Sequence, residues 1–368
     1  MSSKTCRWGI LGSAFIAQKN WASIRHSGNG VVAAVASREK SRAEQFIAER
    51  QKEVPFESVP EAVGGYQELI DRDDIDAIYL PLPTGLRQEW AIKAAEAGKH
   101  LLIEKPCAQD AGHLEELLAV CREKNVQFMD GVMFMHSKRL PALREVLDDS
   151  QSIGPVQRIQ SHFCFLGDDD FLGTNIRANP QVEPFGCLGD LGWYCLRLSL
   201  WVMDWKLPKQ VIGRCLQETG EETGKGGPTE FSGEMLFSNG TSAGFYCSFT
   251  SAFQQWAWIS GERGNIAIPD FVLPHYGKEV AFEVVQDVYR TVGCQFDMEP
   301  HRRRVAVLES ANNAADSQET NMFRTFADHV LAGKPDRSWD EFSLKTQQVL
   351  DACLLSARSG SQPVELAE

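Results

Sequence analysis

The first 130 residues alternate short apolar runs with amphipathic stretches, and this rhythm constrains the fold more than any other feature of the chain. Strands that are apolar along their whole length are typical of a parallel sheet that is covered on both faces. Their alternation with helices predicts a doubly wound α/β domain. The predicted strands are 7–11, 31–36, 75–80, 100–103 and 126–129, and the predicted helices are 14–27, 39–51, 87–97 and 111–124.

After about residue 130 the pattern changes to strands that follow one another through turns. Asn239-Gly240 between two of them is a strong hairpin signal. The sequence therefore predicts an α/β domain over 1–130 and a second, α+β domain with a mainly antiparallel sheet over 131–368, whose last helix is a candidate to pack back on the first domain. The predicted strands of the second domain are 156–165, 211–217, 231–237, 241–249, 255–260 and 265–268, and its predicted helices are 188–203, 321–332 and 344–359.

Charge and composition argue against several classes of function. The chain has 37 basic and 50 acidic residues, a net charge of −13, and such a field repels nucleic-acid phosphates and anionic lipid. No stretch approaches the roughly 20 apolar residues that span a bilayer, and the apolar run at 8–11 is too short for a signal peptide. The ten cysteines contain no C-x-x-C pair. We therefore expect a cytoplasmic protein with reduced thiols and no metal site.

The first strand-to-helix junction carries a glycine turn over residues 9–17, GILGSAFIA. From Gly12 it follows the pattern G-x-G-x-x-A, with Ala14 in place of the middle glycine. Small residues here let backbone N–H groups and the helix N-terminus approach a pyrophosphate. We therefore predict that Gly12, Ser13, Ala14, Phe15 and Ile16 bind a dinucleotide; a tight structural turn is the alternative.

The end of the second predicted strand indicates which dinucleotide is bound. Enzymes that prefer NAD usually carry Asp or Glu there to hold the ribose hydroxyls, whereas this chain has Ser37-Arg38. A hydroxyl and a guanidinium suit a 2′-phosphate. NADP is therefore the predicted cofactor, with NAD possible, although the segment alone would be interpreted as a solvated helix start.

Two further segments carry candidate chemistry. Glu104-Lys105-Pro106 follows the strand predicted at 100–103, and a lysine there projects into the crevice where doubly wound folds bind ligands; a surface salt bridge with Glu104 is the alternative. The segment 186–194, GCLGDLGWY, opens an apolar helix in which Asp190 and Tyr194 are four residues apart and share a face. The alternative is that Asp190 caps the helix and Tyr194 packs in the core.

Taken together, these residues resemble the glucose–fructose oxidoreductase/inositol dehydrogenase family, also called Gfo/Idh/MocA. The likeness runs over nearly the whole chain, and its most specific part is E-K-P at 104–106 followed about 85 residues later by D-x-x-x-Y. It is also carried by segments 8–12, 79–83, 97–100, 153–156, 175–177, 326–328 and 356–360. The resemblance implies an N-terminal Rossmann domain and a C-terminal open-faced sheet that often forms a dimer contact.

The family oxidises or reduces hydroxyl and carbonyl groups on sugars, polyols or dihydrodiols, and the resemblance implies roles for individual residues. Tyr194 would exchange the proton, as in the tyrosine-type members that include dimeric dihydrodiol dehydrogenases and xylose dehydrogenases. Asp190 would orient Lys105 or the substrate. Arg177 and His136 would bind substrate oxygens. The residues implied at the cofactor, beyond the glycine turn and Ser37-Arg38, are Leu82, Glu104 and Lys105.

Three departures from the family pattern bear on the substrate pocket. Arg87 stands where relatives often have histidine, and His136 lies in a segment where many have arginine. Phe185-Gly186 replaces a common Gly-Gly pair. All three are expected to reshape the pocket, so the substrate does not transfer by analogy.

Our main hypothesis is an NADP-dependent oxidoreductase that acts on a sugar-like small molecule. The alternative of another class is a nucleotide-sensing regulator without turnover. It is disfavoured because Lys105, Asp190 and Tyr194 are all present. A third hypothesis is an enzyme that holds its cofactor permanently and alternates between two sugars.

The second predicted sheet also indicates self-association. Its strands and turns are rich in large aromatic residues, more than a fully solvated face tolerates. We therefore predict a homodimer or higher homo-oligomer built on this sheet; the alternative is that the aromatic residues all face the chain's own helices. The residues concerned are Phe245, Phe249, Phe253, Trp256 and Trp258.

Overall fold

The computed structural model describes residues 5–220 and 226–367, and its contacts divide the chain into two compact units. The first unit consists of Met1–His136, Gln181–Pro184 and Asn312–Gln348. The second unit consists of Ser137–Pro180, Phe185–Ala311 and Val349–Glu368. The first unit is therefore assembled from three separate parts of the chain.

The first unit is built on a six-stranded parallel sheet with the order β3-β2-β1-β4-β5-β6, which is the strand order of dinucleotide-binding Rossmann folds. Strands β1–β6 span Cys6–Leu11, Gly30–Ala36, Glu61–Val63, Ala77–Leu80, His100–Ile103 and Phe128–Asp130. Helices α1–α5 span Phe15–Ser27, Lys40–Glu53, Tyr66–Ile70, Thr84–Glu96 and Ala111–Glu123.

Every strand and helix predicted in the first 130 residues is present, with ends that differ by three residues at most. Strand β3 and helix α3 were not predicted, because three and five residues are too few to show a period. The apolar runs are buried as expected for a covered parallel sheet: Trp8 of β1, for example, is completely enclosed. Its ring packs edge-on against Phe323, with the centroids 5.2 Å apart, in the returning part of the chain.

The second unit contains a nine-stranded mixed sheet with the order β16-β13-β12-β11-β7-β10-β9-β8-β17. Strands β7–β17 span Val156–Leu166, Gln210–Glu218, Pro228–Leu236, Ser242–Ser248, Thr250–Gly261, Asn265–Ile268, Glu279–Val285, Val288–Val292, Gln295–Glu299, Arg302–Leu308 and Val364–Glu365. Strands β14 and β15 form a separate two-stranded hairpin. The pairing is antiparallel except between β7 and β10, which confirms the predicted fold class.

The predicted hairpin at Asn239-Gly240 is confirmed. Leu236 pairs with Ser242 across the turn, and Gly240 adopts φ +89°, the left-handed conformation that this turn requires. Strands β13 to β17 were not predicted. Strand β16 illustrates why: it begins with three consecutive arginines, which do not resemble a strand pattern.

Helices α6–α10 span Arg139–Asp148, Asp169–Thr174, Trp193–Val202, Gln318–Ala332 and Ser338–Arg358. Helix α8 was predicted to begin at Leu188. The segment Leu188–Gly192 instead forms a π-helical turn, and the α-helix starts at Trp193. Among the described residues, no helix has both the length and the apolar character that crossing a bilayer requires.

The predicted self-association assumed that the aromatic residues of the second sheet are exposed, and only some of them are. Phe245 and Phe249 are buried inside the unit. Phe253 and Trp258 are exposed, and Trp256 is half-buried. Only the last three are therefore placed to contribute to an outer surface.

Candidate active site

The predicted site residues fall into two groups, one in each unit. The group in the second unit is Arg177, Asp190 and Tyr194. The group in the first unit is Gly12, Ser13, Ala14, Phe15, Ile16, Ser37, Arg38, Leu82, Glu104, Lys105 and His136.

The glycine turn has the geometry that a close approach of backbone to ligand requires. Gly12 adopts φ +103°, which side-chain-bearing residues rarely adopt. A Cβ atom at Gly12 would lie 3.2 Å from the Leu82 side chain and 3.9 Å from the Tyr66 hydroxyl oxygen. The turn therefore brings Leu82 and Tyr66, which follow other strands, against the first strand-to-helix junction.

The N-terminus of α1 suits an anion. Ala14 is the N-cap residue and offers no side-chain acceptor, and the first turn contains no acidic residue. The N–H groups of a first helical turn have no acceptors within the helix and carry partial positive charge. The Phe15 side chain is 86% exposed, so it does not fill this position from within the unit. A pyrophosphate fits these features.

The end of β2 presents cations and a hydroxyl. Ser37 is buried, and its N–H donates to the Val63 carbonyl at 3.2 Å, which fixes the turn after the strand. Arg38 and Arg42 are exposed. Among the described residues, neither arginine forms an ion pair with a carboxylate. Both guanidinium groups are therefore available to a ligand phosphate.

Tyr66 is a candidate site residue that the sequence analysis missed. Its hydroxyl lies beside Gly12, and its ring packs edge-on against Trp90 with the centroids 5.1 Å apart. Burial raises the pKa of the phenol, while the positive charges of Arg38 and Arg42 oppose that shift. Tyr66 therefore remains a hydroxyl donor between the glycine turn and the two arginines. It belongs to the short, unpredicted helix α3, so no local pattern pointed to it.

Glu104 is tied into the first unit by a hydrogen-bond network. Its Oε1 atom accepts from the Tyr79 hydroxyl at 2.6 Å, and the Asn20 amide donates to the same hydroxyl at 2.6 Å. Burial, together with the carboxylate of Glu104, holds the pKa of Tyr79 well above its ordinary value. The structure thus places one oxygen of Glu104 in an internal contact, which fixes the segment that continues into Lys105.

Lys105 and His136 are both half-buried. Lys105 follows the carboxyl end of β5, the edge at which doubly wound sheets bind ligands. His136 ends a 3-10 turn, Met133–His136, and its ring stacks on Trp339 with the centroids 4.8 Å apart. The stacking fixes the orientation of the imidazole.

In the second unit, Arg177 and Asp190 form an ion pair. The Arg177 Nε and Asp190 Oδ1 atoms are 3.0 Å apart, and Asp190 is largely buried whereas Arg177 is about half exposed. Asn175 supports Arg177, because its side chain accepts from the Arg177 N–H at 3.0 Å. Asp190 lies on the π-helical turn, a feature that is frequent at functional sites.

Tyr194 lies in the first turn of α8 and is 7% exposed. Its ring meets the edge of Phe163 on β7, with the centroids 5.6 Å apart and the planes inclined at 68°. The aromatic contact fixes the ring plane and hence the direction of the hydroxyl. A fixed phenol and an ion-paired carboxylate are groups that can hold and transfer a proton.

Two family models match the chain. Residues 6–132 match the GFO_IDH_MocA model, described as an oxidoreductase family with an NAD-binding Rossmann fold. Residues 142–267 match the GFO/IDH/MocA C-terminal domain.

Individual relatives agree with both matches. The chain is 34% identical to a dTDP-3,4-didehydro-2,6-dideoxy-alpha-D-glucose 3-reductase of Saccharopolyspora spinosa, over 72% of this chain and 75% of that protein. It is 27% identical to D-xylose 1-dehydrogenase (NADP(+)) 2 of Haloferax volcanii, over 96% and 98%.

The structural comparison covers almost the whole chain. A 3-ketoreductase from Actinomadura kijaniata, solved with NADP and TDP-benzene, is similar with a TM-score of 0.77 and 25% identity, over 95% of this chain and 97% of that one. These findings confirm the resemblance deduced from the sequence motifs. The chain belongs to the GFO/IDH/MocA family and is an NAD(P)-dependent oxidoreductase that acts on CH–OH or keto groups.

Proposed function

We propose that this protein prefers NADP over NAD and interconverts hydroxyl and carbonyl groups on a sugar, polyol or dihydrodiol. The observation that carries the cofactor preference is the cationic end of β2. Ser37, Arg38 and Arg42 stand there in place of a carboxylate, beside Tyr66 and the glycine turn. A carboxylate would repel a 2′-phosphate, whereas a guanidinium binds it.

Two relatives support the proposal. The Haloferax volcanii protein is named as NADP(+)-dependent, and the Actinomadura kijaniata 3-ketoreductase was solved with NADP. Both names refer to oxidation or reduction of a sugar carbon or keto group. We extend this substrate class, but no individual substrate, to the present chain.

We assign the cofactor to the first unit. The turn Gly12, Ser13, Ala14, Phe15 and Ile16 would hold the pyrophosphate through backbone N–H groups, and Ser37 and Arg38 would hold the 2′-phosphate. Leu82 and Lys105 would border the nicotinamide, with Glu104 fixing the segment that carries Lys105. When bound, the nicotinamide would supply the chemistry of hydride transfer.

We assign proton transfer to Tyr194. In the reducing direction its hydroxyl gives a proton to the substrate oxygen, and in the oxidising direction the phenolate takes one. The ammonium group of Lys105 would stabilise negative charge on the reacting oxygen. Arg177, oriented by Asp190, and His136 would bind other substrate oxygens.

We also propose that the protein is a homodimer or higher homo-oligomer that uses the second sheet. A cavity of about 680 Å³ on the second unit is lined by Trp256, Trp258 and Tyr276 together with charged residues. Trp258 and Tyr276 are exposed, which is unusual for large aromatic residues on a solvated surface. Light scattering that returned a monomer mass over a wide concentration range would reject this part of the proposal.

The experiment that tests the catalytic proposal is a substrate screen followed at 340 nm. Aldoses, polyols and a dihydrodiol are offered with NADP, and keto sugars, including a dTDP-linked one, are offered with NADPH. We expect turnover in at least one of these classes, abolished in a Lys105→Met variant that still folds. Tight NADPH binding without turnover across the whole panel would favour the nucleotide-sensing alternative.

A further inference from the structure

Arg87 is a buried cation held by two backbone carbonyl groups. It lies on α4 and is only 3% exposed. Its Nε–H donates to the Leu82 carbonyl at 2.8 Å, and its Nη1–H donates to the Pro106 carbonyl. Among the described residues, these two carbonyls are its hydrogen-bond partners, and it forms no ion pair.

The two carbonyls belong to different loops. Leu82 follows the carboxyl end of β4, and Pro106 follows the carboxyl end of β5. These strands are neighbours in the parallel sheet, with Leu80 in register with Ile103. A single guanidinium therefore bridges the two loops at the ligand-binding edge of the sheet. The loop after β4 carries Leu82, whose side chain lies beside Gly12 of the glycine turn. The loop after β5 carries Lys105.

Helix α4 is itself held in place by hydrogen bonds, so the backbone of Arg87 has a fixed position. The Glu183 carboxylate accepts from the Thr84 N–H at 3.0 Å and from the Thr84 hydroxyl at 2.6 Å. The Gly85 N–H donates to the Val182 carbonyl at 2.9 Å. These contacts hold the first turn of the helix, and Arg87 follows directly.

Burying a guanidinium is costly unless its hydrogen bonds are satisfied. An apolar side chain would fill the same space without that cost. What the guanidinium provides is a planar fork with several N–H donors, and two of them reach acceptors on separate loops here. Lysine would bring the charge without the fork.

We propose that Arg87 is a positioning residue that sets the spacing between the Leu82 loop and the Lys105 loop, and thereby shapes the nicotinamide side of the cofactor site. The proposal rests on the cofactor placement given under Proposed function. It predicts a defect confined to the nicotinamide half of the cofactor, because the residues that would bind the 2′-phosphate lie on other segments, at β2 and α2.

The test compares two ligands that share one half. NADPH contains the nicotinamide, whereas 2′,5′-ADP carries only the adenosine and its phosphates. For Arg87→Met we expect the Kd for NADPH to rise about tenfold and the Kd for 2′,5′-ADP to stay within about twofold, with an altered emission of bound NADPH. Arg87→Lys should show the same pattern with a smaller change, and it serves if the methionine variant does not fold.

Lys99 provides a matched control. It is also a buried cation of the first unit, and its Nζ donates to the carbonyls of Arg72 at 2.6 Å and Ile75 at 2.9 Å. It precedes the amino end of β5, the edge opposite the ligand-binding one. Lys99→Met should lower the melting temperature and leave both dissociation constants unchanged.

Two outcomes would overturn the role of Arg87. One is an equal loss of affinity for NADPH and 2′,5′-ADP, and the other is no loss for either ligand in a folded variant. Failure of the unmodified protein to bind NADPH is a different result, and it would contradict the proposed function instead.

Discussion

The two units hold their candidate residues in different ways. In the first unit the residues come from short segments that directly follow parallel strands, such as Gly12 after β1, Ser37 after β2 and Lys105 after β5. In the second unit Asp190 lies on a π-helical turn and pairs with Arg177 of a 3-10 turn. The topology of the parallel sheet places the first group of residues at one edge. Packing and a side-chain ion pair hold the second group of residues.

Sequence motifs are therefore more informative in the first unit than in the second. In a doubly wound sheet the carboxyl ends of the strands meet along one edge, so a residue's place after a strand already predicts its place in the site. A mixed sheet with a crossing helix offers no such rule. We expect substitutions at the glycine turn and at the end of β2 to change cofactor binding, and a substitution at Tyr194 to change proton transfer.

Tyr194→Phe should lower turnover more than any other substitution considered in the second unit. The substitution keeps the ring and its contact with Phe163 but removes the proton. Turnover should fall by roughly 10²- to 10⁴-fold, the usual contribution of general acid–base catalysis, and the Kd for NADPH should not change. Steady-state kinetics at saturating cofactor measures the first quantity and a fluorescence titration the second.

Tyr246 offers the control for this substitution. It lies in the same unit, on β10, and its hydroxyl donates to Glu230 at 2.5 Å. Tyr246→Phe should leave turnover within about twofold of the unmodified protein, since the proposed proton path does not include it. If folded Tyr194→Phe kept more than about a tenth of turnover with chemistry rate-limiting, Tyr194 would not be the acid/base.

The next effect concerns stability of the first unit in acid. His100 begins β5, and burial lowers its pKa from 6.5 to about 4. The neutral ring accepts the Gln127 N–H at its Nδ1 atom, 2.8 Å away. A depressed pKa stabilises the fold above pH 6.5, and this contribution, at most about 3 kcal/mol, is lost as the pH falls toward 4.

His100→Asn tests that assignment, because the amide oxygen can accept the same hydrogen bond but does not titrate. Urea unfolding at pH 7 and pH 4.5 gives the free energy of unfolding at each value. The unmodified protein should lose about 2 kcal/mol more than the variant between the two. Identical losses would show that His100 is not a source of acid sensitivity.

A change of similar size is expected from Arg38→Ala. The variant would lose a charge-assisted bond to the 2′-phosphate, worth roughly 1.5–3 kcal/mol. The ratio of NAD to NADP dissociation constants should therefore fall by about 10- to 100-fold, mainly through weaker NADP binding. Arg25→Ala is a matched control, because Arg25 is also an exposed arginine of the first unit but donates to the Pro55 carbonyl. An unchanged ratio in Arg38→Ala would place the 2′-phosphate elsewhere.

The smallest predicted effect is that of Tyr66→Phe. The ring keeps its contact with Trp90, and only the hydroxyl beside the glycine turn is lost. One neutral hydrogen bond is worth about 1 kcal/mol, so NADP affinity should fall about three- to tenfold. Calorimetry with NADPH measures the loss, and affinity equal to that of the unmodified protein would remove Tyr66 from the site.

Much of the first unit was predictable from the sequence, and the exceptions have physical reasons. The glycine turn, Ser37-Arg38 and Lys105 were singled out as candidates because each follows an apolar run that predicts a parallel strand. Tyr66 was missed because helix α3 has only five residues and reaches the turn through the fold. The role proposed for Arg87 could not be predicted either, because its partners are backbone carbonyls, which no residue type identifies.

In the second unit the sequence predicted fewer of the contacts and less of the local structure around the candidate residues. The spacing of Asp190 and Tyr194 suggested one regular helix, but a π-helical turn precedes the α-helix. The pairing of Asp190 with Arg177 was not foreseen, because the two residues are joined by a turn and a loop rather than a periodic element. Aromatic content likewise failed to separate buried Phe245 from exposed Trp258.

The most direct test of the proposed cofactor preference is a titration of the unmodified protein with NADPH and with NADH, followed by nicotinamide fluorescence at a fixed salt concentration. We expect NADPH to bind about 10- to 100-fold more tightly, since Arg38 would add one charge-assisted bond to the 2′-phosphate. Equal dissociation constants, or tighter binding of NADH, would contradict it.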